Sequence, residues 1–159
     1  MPIYYRDVHL LSESNVGLLL AFNGIVVFGL EMLLVQWVER FMNFRTIIVS
    51  GVLFLFFAFF SLSLNIQSHW VLYLSMFLLS ISEILAMPFM ASLTAQRAHS
   101  SRQGAYMGLN ALTFSVAHVF SPLLGTYVAQ HYGFSNLWLF TSLLCVITSL
   151  GMFVVLKKF

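Results

Sequence analysis

Two stretches of this chain carry no ionisable acid or base of the Asp, Glu, Lys or Arg type. One runs from Arg45 to Glu83 and the other from Arg102 to Lys157. Each is far longer than the roughly 20 apolar residues that cross a bilayer core as a helix, so each must hold more than one crossing. Composition says the same. Of 159 residues, 8% are charged and 60% are apolar, and the mean hydropathy is +0.94. A soluble domain carries about 25% charged residues and has no interior able to hide this much apolar surface. The composition excludes a disordered chain, a secreted disulfide scaffold and an ordinary cytosolic enzyme, and leaves an integral membrane protein.

Polar breaks divide the chain into five spans, at about 15–38, 46–65, 70–95, 104–130 and 136–156. The first opens at Ser12-Glu13-Ser14-Asn15. The second ends at Asn65-Ile66-Gln67-Ser68-His69. The fourth ends at His131-Tyr132-Gly133-Phe134-Ser135-Asn136. Long runs without alternation favour helices, and in lipid only helices and closed barrels satisfy their own backbone groups. The expected fold is all-α, with five transmembrane helices over residues 15–159 preceded by an external loop at 1–14. Met1 to Glu13 includes Arg6, Asp7 and His9 and does not read as a signal peptide.

Basic residues set the expected direction. Arg40 and Arg45, Arg97 and Arg102, and Lys157 and Lys158 all fall on one side, with Arg6 alone on the other. The six-residue side is assigned to the cytoplasm, with the C-terminus inside and the N-terminus outside. Trp70 and Trp138 then begin spans at the outer interface, and Trp37 ends one at the inner interface, as an aromatic belt would. Five spans with an external N-terminus read more easily as part of a longer chain. The net charge of +2 offers no basic surface for nucleic acid. The lone Cys145 excludes a disulfide framework and a cysteine metal site, and His69, His99 and His131 fall in loops on different sides. No cofactor or metal is expected.

Three local patterns resemble the C-terminal half of a major facilitator superfamily transporter, helices eight to twelve. The family carries a loop of the form Asp-Arg-x-Gly-Arg-Arg after its eighth helix. Here Glu39-Arg40-Phe41-Met42-Asn43-Phe44-Arg45 matches at Glu39, Arg40 and Arg45, with Met42 and Asn43 in place of Gly and Arg. Span three reads Ser82-Glu83-Ile84-Leu85-Ala86-Met87-Pro88, and an acid followed by proline is common in helix ten of drug-efflux members. Span four places Gly108, Ala117, Ser121-Pro122 and Gly125-Thr126 at the spacing of the antiporter branch's small-residue motif. Small residues let helix backbones approach, and a proline loosens the helix. Generic packing by small residues is the plainer account of that spacing.

The resemblance implies an inverted three-helix repeat around a midplane site, with helices eight, ten and eleven lining a cavity and nine and twelve against lipid. It also implies a bacterial inner-membrane location and a missing N-terminal half as partner. Ionisable groups inside a span cost about 2.5–3.5 kcal/mol on insertion scales, which makes them candidates for function. They are Glu83, Glu31 and His118. Hydrocarbon disfavours a charged carboxyl, so Glu83, near the middle of span three, is suited to take up and release a proton as access alternates. A carboxyl simply bonded within the bundle is the plainer alternative. Glu31 reads as a cavity residue or a partner of Arg40 or Arg97, and His118 as a proton carrier or a packed core residue. Asn23 and Asn110 read as interhelical hydrogen-bonding groups. Tyr106, Phe114, Met87, Phe89 and Met90 read as an apolar substrate surface or as packing.

The expected function is alternating-access, proton-coupled efflux of a small amphipathic solute. The alternative is an inactive truncated remnant or a non-transporting membrane assembly subunit. No residue set supports an enzyme.

Overall fold

The computed structural model of the chain describes residues 1–66, 68–98 and 102–158, the last of these without its side chain. The described residues form helices and no strand. They are α1 (Pro2–Asp7), α2 (Glu13–Phe41), α3 (Phe44–Ser63), α4 (His69–Arg97), α5 (Gln103–Tyr132) and α6 (Phe134–Val155), followed by a 3-10 turn at Leu156–Lys158. Helices α2 to α6 are long and apolar enough to cross a membrane. The shortest, α3, has 20 residues, and at 1.5 Å per residue it spans about 30 Å.

The ends of the helices have local causes. Ser12 accepts a hydrogen bond from the Asn15 backbone N–H at 3.4 Å, and Glu13 stands in the first turn, where a negative charge suits the helix dipole. Asn65 takes a left-handed φ of 50° after α3, a conformation Asn tolerates. Gly133, at φ 81°, both stops α5 and starts α6; a side chain there would be strained. The polar string 131–136, read from sequence as a loop, therefore narrows to this single residue, and His131 belongs to the last turn of α5. Hydropathy marks such ends only to within a residue or two, because polarity does not record where the backbone hydrogen bonds stop.

Helix α3 is the hub. It packs against α4 on one side and α6 on the other, while α2 flanks α4. Helix α5 leans lightly on α6 and α4 and has no buried residue. The two helices α3 and α4 come close at Gly51, where an added Cβ would lie 3.1 Å from the Ala86 nitrogen and 3.2 Å from the Leu85 Cβ. Small residues let helices close in this way, which matters where dispersion rather than water exclusion holds helices together. Buried Ser75, Ser80 and Ser142 satisfy their hydroxyls within their own helices, on the carbonyls of Leu72, Met76 and Leu139.

Two core clusters form, one at each end. At the basic end lie Val38, Ile47, Ile48, Leu85, Phe89 and Leu156. Phe89 belongs there, edge-on to Phe44 at 5.5 Å, rather than on a substrate surface. At the other end α1 folds back onto the bundle. This segment, read from sequence as loop, buries Tyr4 and Tyr5 against Leu62, Leu72, Met76 and Trp138. Tyr4 donates to the Leu62 carbonyl at 3.4 Å, and His9 Nε2 lies 3.2 Å from the same hydroxyl. Trp138 meets Tyr4 edge-on at 5.2 Å and stacks on Phe59 at 5.7 Å. Trp138 is thus a core residue, whereas Trp70 and Trp37 stand exposed. Burial pushes the Tyr5 phenol up to about 12.

Candidate transport site

Glu83 is the middle residue of α4 (His69–Arg97) and is half-buried. Ser80 lies three residues earlier, on the same helix face. Helix α2 runs beside this face and presents Asn23 to it. The Asn23 Nδ2 group donates to Ser80 Oγ at 2.9 Å and to Glu83 Oε2 at 3.2 Å. The Ser80 hydroxyl donates its own hydrogen bond to the Met76 carbonyl at 2.9 Å. The result is a polar bridge from α2 to the centre of α4, set among apolar side chains. Hydrogen bonds to an ionised carboxylate are worth about 1.5–3 kcal/mol, more than neutral ones. An amide N–H donor bonds most strongly to a carboxylate; a protonated carboxyl keeps a carbonyl oxygen that can accept, but without the charge. The bridge is therefore sensitive to a proton on Glu83.

Pro88 follows within α4. It has no N–H, so the carbonyl of Ile84, next to Glu83, loses its helical donor and the helix is loosened beside the acid.

The other ionisable candidates do not join this cluster. Glu31 and His118 are exposed, on α2 and α5, and no hydrogen bond, ion pair or ring contact among the described residues involves either. Glu39 and Arg40 are exposed in the last turn of α2. Arg45 is half-buried in the first turn of α3, with its guanidinium carbon 3.6 Å from the centre of the Phe153 ring. On α5, Gly108, Ala117, Ser121 and Pro122 are exposed and Gly125 is half-buried; a Cβ added at Gly108 or Gly125 would meet nothing within 4 Å. Met87 and Tyr106 are exposed, and Asn110 and Phe114 are half-buried. No group of three or more His, Cys, Asp or Glu able to hold a metal occurs among the described residues, and His99 lies outside them.

Asn23, read from sequence as an interhelical hydrogen-bonding group, is one, and the structure adds that its partners are Ser80 and Glu83. Its sequence signal was an amide inside an apolar span, with Ser80 and Glu83 sharing a face on another helix.

Residues 1–158 match the family model described as Major Facilitator Superfamily. The chain belongs to the major facilitator superfamily. That superfamily consists of membrane transporters, in keeping with five long apolar helices and an acid at the centre of one of them. A relative from Planococcus maritimus, named Na(+), Li(+), K(+)/H(+) antiporter, is 25% identical over 152 residues, covering 85% of this chain and 35% of that protein. The superfamily chain described here thus spans about a third of the length of the relative it matches. No solved structure matches it.

Proposed function

We propose that this chain is the C-terminal portion of a secondary transporter that works by alternating access and couples transport to protons at Glu83. The observation that carries the reading is the Asn23–Glu83 bridge, a carboxyl in the middle of a membrane helix held by an amide of a neighbouring helix. With Glu83 ionised, the amide ties α2 to α4. With Glu83 protonated, the acceptor is weakened and α2 is freed to move against α4. Proton uptake and helix movement then become one event. The basic end faces the cytoplasm, by the distribution of Arg and Lys, in a bacterial inner membrane. A preceding set of helices supplies the rest of the transport path.

Exposed Met87, one turn after Glu83 on α4, supports a small amphipathic solute as the transported partner. The Planococcus maritimus relative's name favours a second reading, in which an alkali cation is exchanged for the proton. One carboxylate that binds either a proton or a cation, but not both, would suffice for such exchange.

The test is Glu83→Gln in the complete protein, reconstituted in vesicles with a pH-sensitive dye inside. The variant is expected to insert normally and to lose both solute-driven proton release and proton-driven solute transport. Normal transport with normal proton release would overturn the reading. Sodium, lithium and potassium salts added to the wild type, against an amphipathic cation, separate the two substrate classes.

A further inference from the structure

We propose that the basic end of the bundle, between α3 and α6, binds the phosphate headgroup of an anionic membrane lipid, with Arg45 as the principal ligand and Lys157 beside it. The proposal rests on the membrane fold and not on the transport mechanism at Glu83.

Arg45 is seated but not neutralised. Its Nε and Nη2 atoms are covered and have no hydrogen-bond partner among the described residues. Its guanidinium lies 3.6 Å above the Phe153 ring. A cation over an aromatic face gains something from the ring quadrupole, but that does not replace the hydrogen bonds and counter-charge a covered guanidinium requires. Glu39, the acid of the neighbouring α2–α3 loop region, is exposed and makes no ion pair with Arg45. The Asn43 side chain does not cap α3, so the first N–H groups of that helix add further donors at the same place. The surroundings of Arg45 therefore gather donors and positive charge, with no hydrogen-bond acceptor engaging Nε or Nη2 among the described residues.

Depth and surroundings point to a lipid as the source of the acceptor. Arg45 is the second residue of α3, and Phe153 stands in the last turns of α6, so both lie where a membrane helix meets the headgroups. Lys157 follows Phe153 by four residues, about one turn, and is exposed. Toward the bilayer centre, α6 exposes Leu150, Ile147 and Leu143, and α3 exposes Leu53 and Phe57. A ligand with a phosphate above and acyl chains below matches this order of groups. The planar guanidinium fork suits phosphate oxygens, and Lys157 adds a point charge. Basic residues in such pockets recognise anionic headgroups.

The complete protein, purified in mild detergent, is tested by native mass spectrometry after equilibration with equal amounts of phosphatidylglycerol and phosphatidylcholine. The wild type is expected to retain phosphatidylglycerol over phosphatidylcholine by about fivefold for each basic residue engaged. Arg45→Gln should lose most of that preference, Arg45→Lys should keep part of it, and Arg40→Gln, at an exposed site, should leave it unchanged. Lys157→Gln should reduce it by less than Arg45→Gln, and it serves as the test if Arg45→Gln does not fold. Inorganic phosphate should not displace the lipid.

The same preference in the wild type, Arg45→Gln and Lys157→Gln would overturn the proposal. So would displacement by inorganic phosphate at equal concentration, which would make the ligand a soluble anion. An Arg45→Gln protein that loses stability in phosphatidylcholine alone, with its lipid preference intact, would assign Arg45 to a carboxylate elsewhere in the complete protein.

Discussion

Helices α3, α4 and α6 differ from α2 and α5 in almost every respect except hydropathy. A third or more of the most apolar stretch of α3 and α4 is buried within the chain, against 6% for α2 and none for α5. The glycines divide in the same way. Gly51 on α3 is wedged against α4, while a Cβ on Gly17, Gly24 or Gly29 of α2, or on Gly104, Gly108 or Gly125 of α5, would touch nothing within 4 Å, and among the scaffold glycines only Gly151, near the end of α6, shares that freedom. Yet α2 and α5 carry Asn23, Glu31, Asn110 and His118, while the scaffold carries Glu83. The inner three helices are thus a scaffold whose contacts are already made. The outer two hold polar groups and bare backbone, with Asn23 the one such group locked to the scaffold. In lipid, an apolar surface is solvated either way, so burial within the chain, and not hydrophobicity, separates the two regions.

The largest expected effect lies where the regions meet. Asn23→Ala in the complete protein removes the bridge while keeping the carboxyl. A hydrogen bond to a charged group is worth about 1.5–3 kcal/mol, so proton-coupled transport should fall about ten- to a hundredfold, short of the complete loss expected for Glu83→Gln. Equal transport in Asn23→Ala and wild type would show that α2 and α4 are not coupled through this contact.

Next in size is the scaffold end closed by α1. Trp138→Ala removes the ring between Tyr4 and Phe59 and should cost about 3–5 kcal/mol, whereas Trp70→Ala, on the exposed surface, should cost about 0.5 kcal/mol or less. Thermal unfolding in detergent measures both, and comparable losses would erase the distinction between core and belt tryptophans. Gly51→Leu should destabilise by about 1–3 kcal/mol through overpacking. Gly108→Leu is its counterpart on α5. If it costs as much in the complete protein, α5 is packed by helices outside this chain; if it costs little, α5 faces lipid or an open path.

The smallest effect concerns acidity at the α1 end. Burial, with the positive charge of His69 adding to it, holds His9 below its ordinary value of 6.5. The folded state thus favours neutral His9. Its contribution is present above that ordinary value and is lost as pH falls through the lower folded value. Hydrogen exchange of α1 should be slow at neutral pH and accelerate on acidification, and His9→Gln should flatten the response. An unchanged acid response in His9→Gln would place the sensitivity elsewhere, with His69 the first group to examine.

Much of this was legible in the chain itself. The charge-free stretches after Arg45 and Arg102 required several crossings, and the polar breaks located all five helices to within a few residues. Glu83 stood out because a carboxyl is costly where it sits. The α1 clasp was not legible, because Tyr4 and Tyr5 lie among charged and polar neighbours and only their meeting with Trp138 gives them a core. Nor was the seat of Arg45, since Phe153 lies more than a hundred residues away in the chain. The small residues of α5 had the spacing of a packing motif, but spacing records what a helix could meet and not whether a neighbour is there.

The sequence by itself determined that the chain crosses a membrane as helices, that its basic residues gather at one end of them and which acid is out of place, because these follow from transfer energies that each residue carries with it. Only the tertiary structure decided that α3 is the hub, that Asn23 holds Glu83, and that Arg45 rests on Phe153 with no anion of its own, because these depend on which faces of distant helices are brought to the same depth and angle.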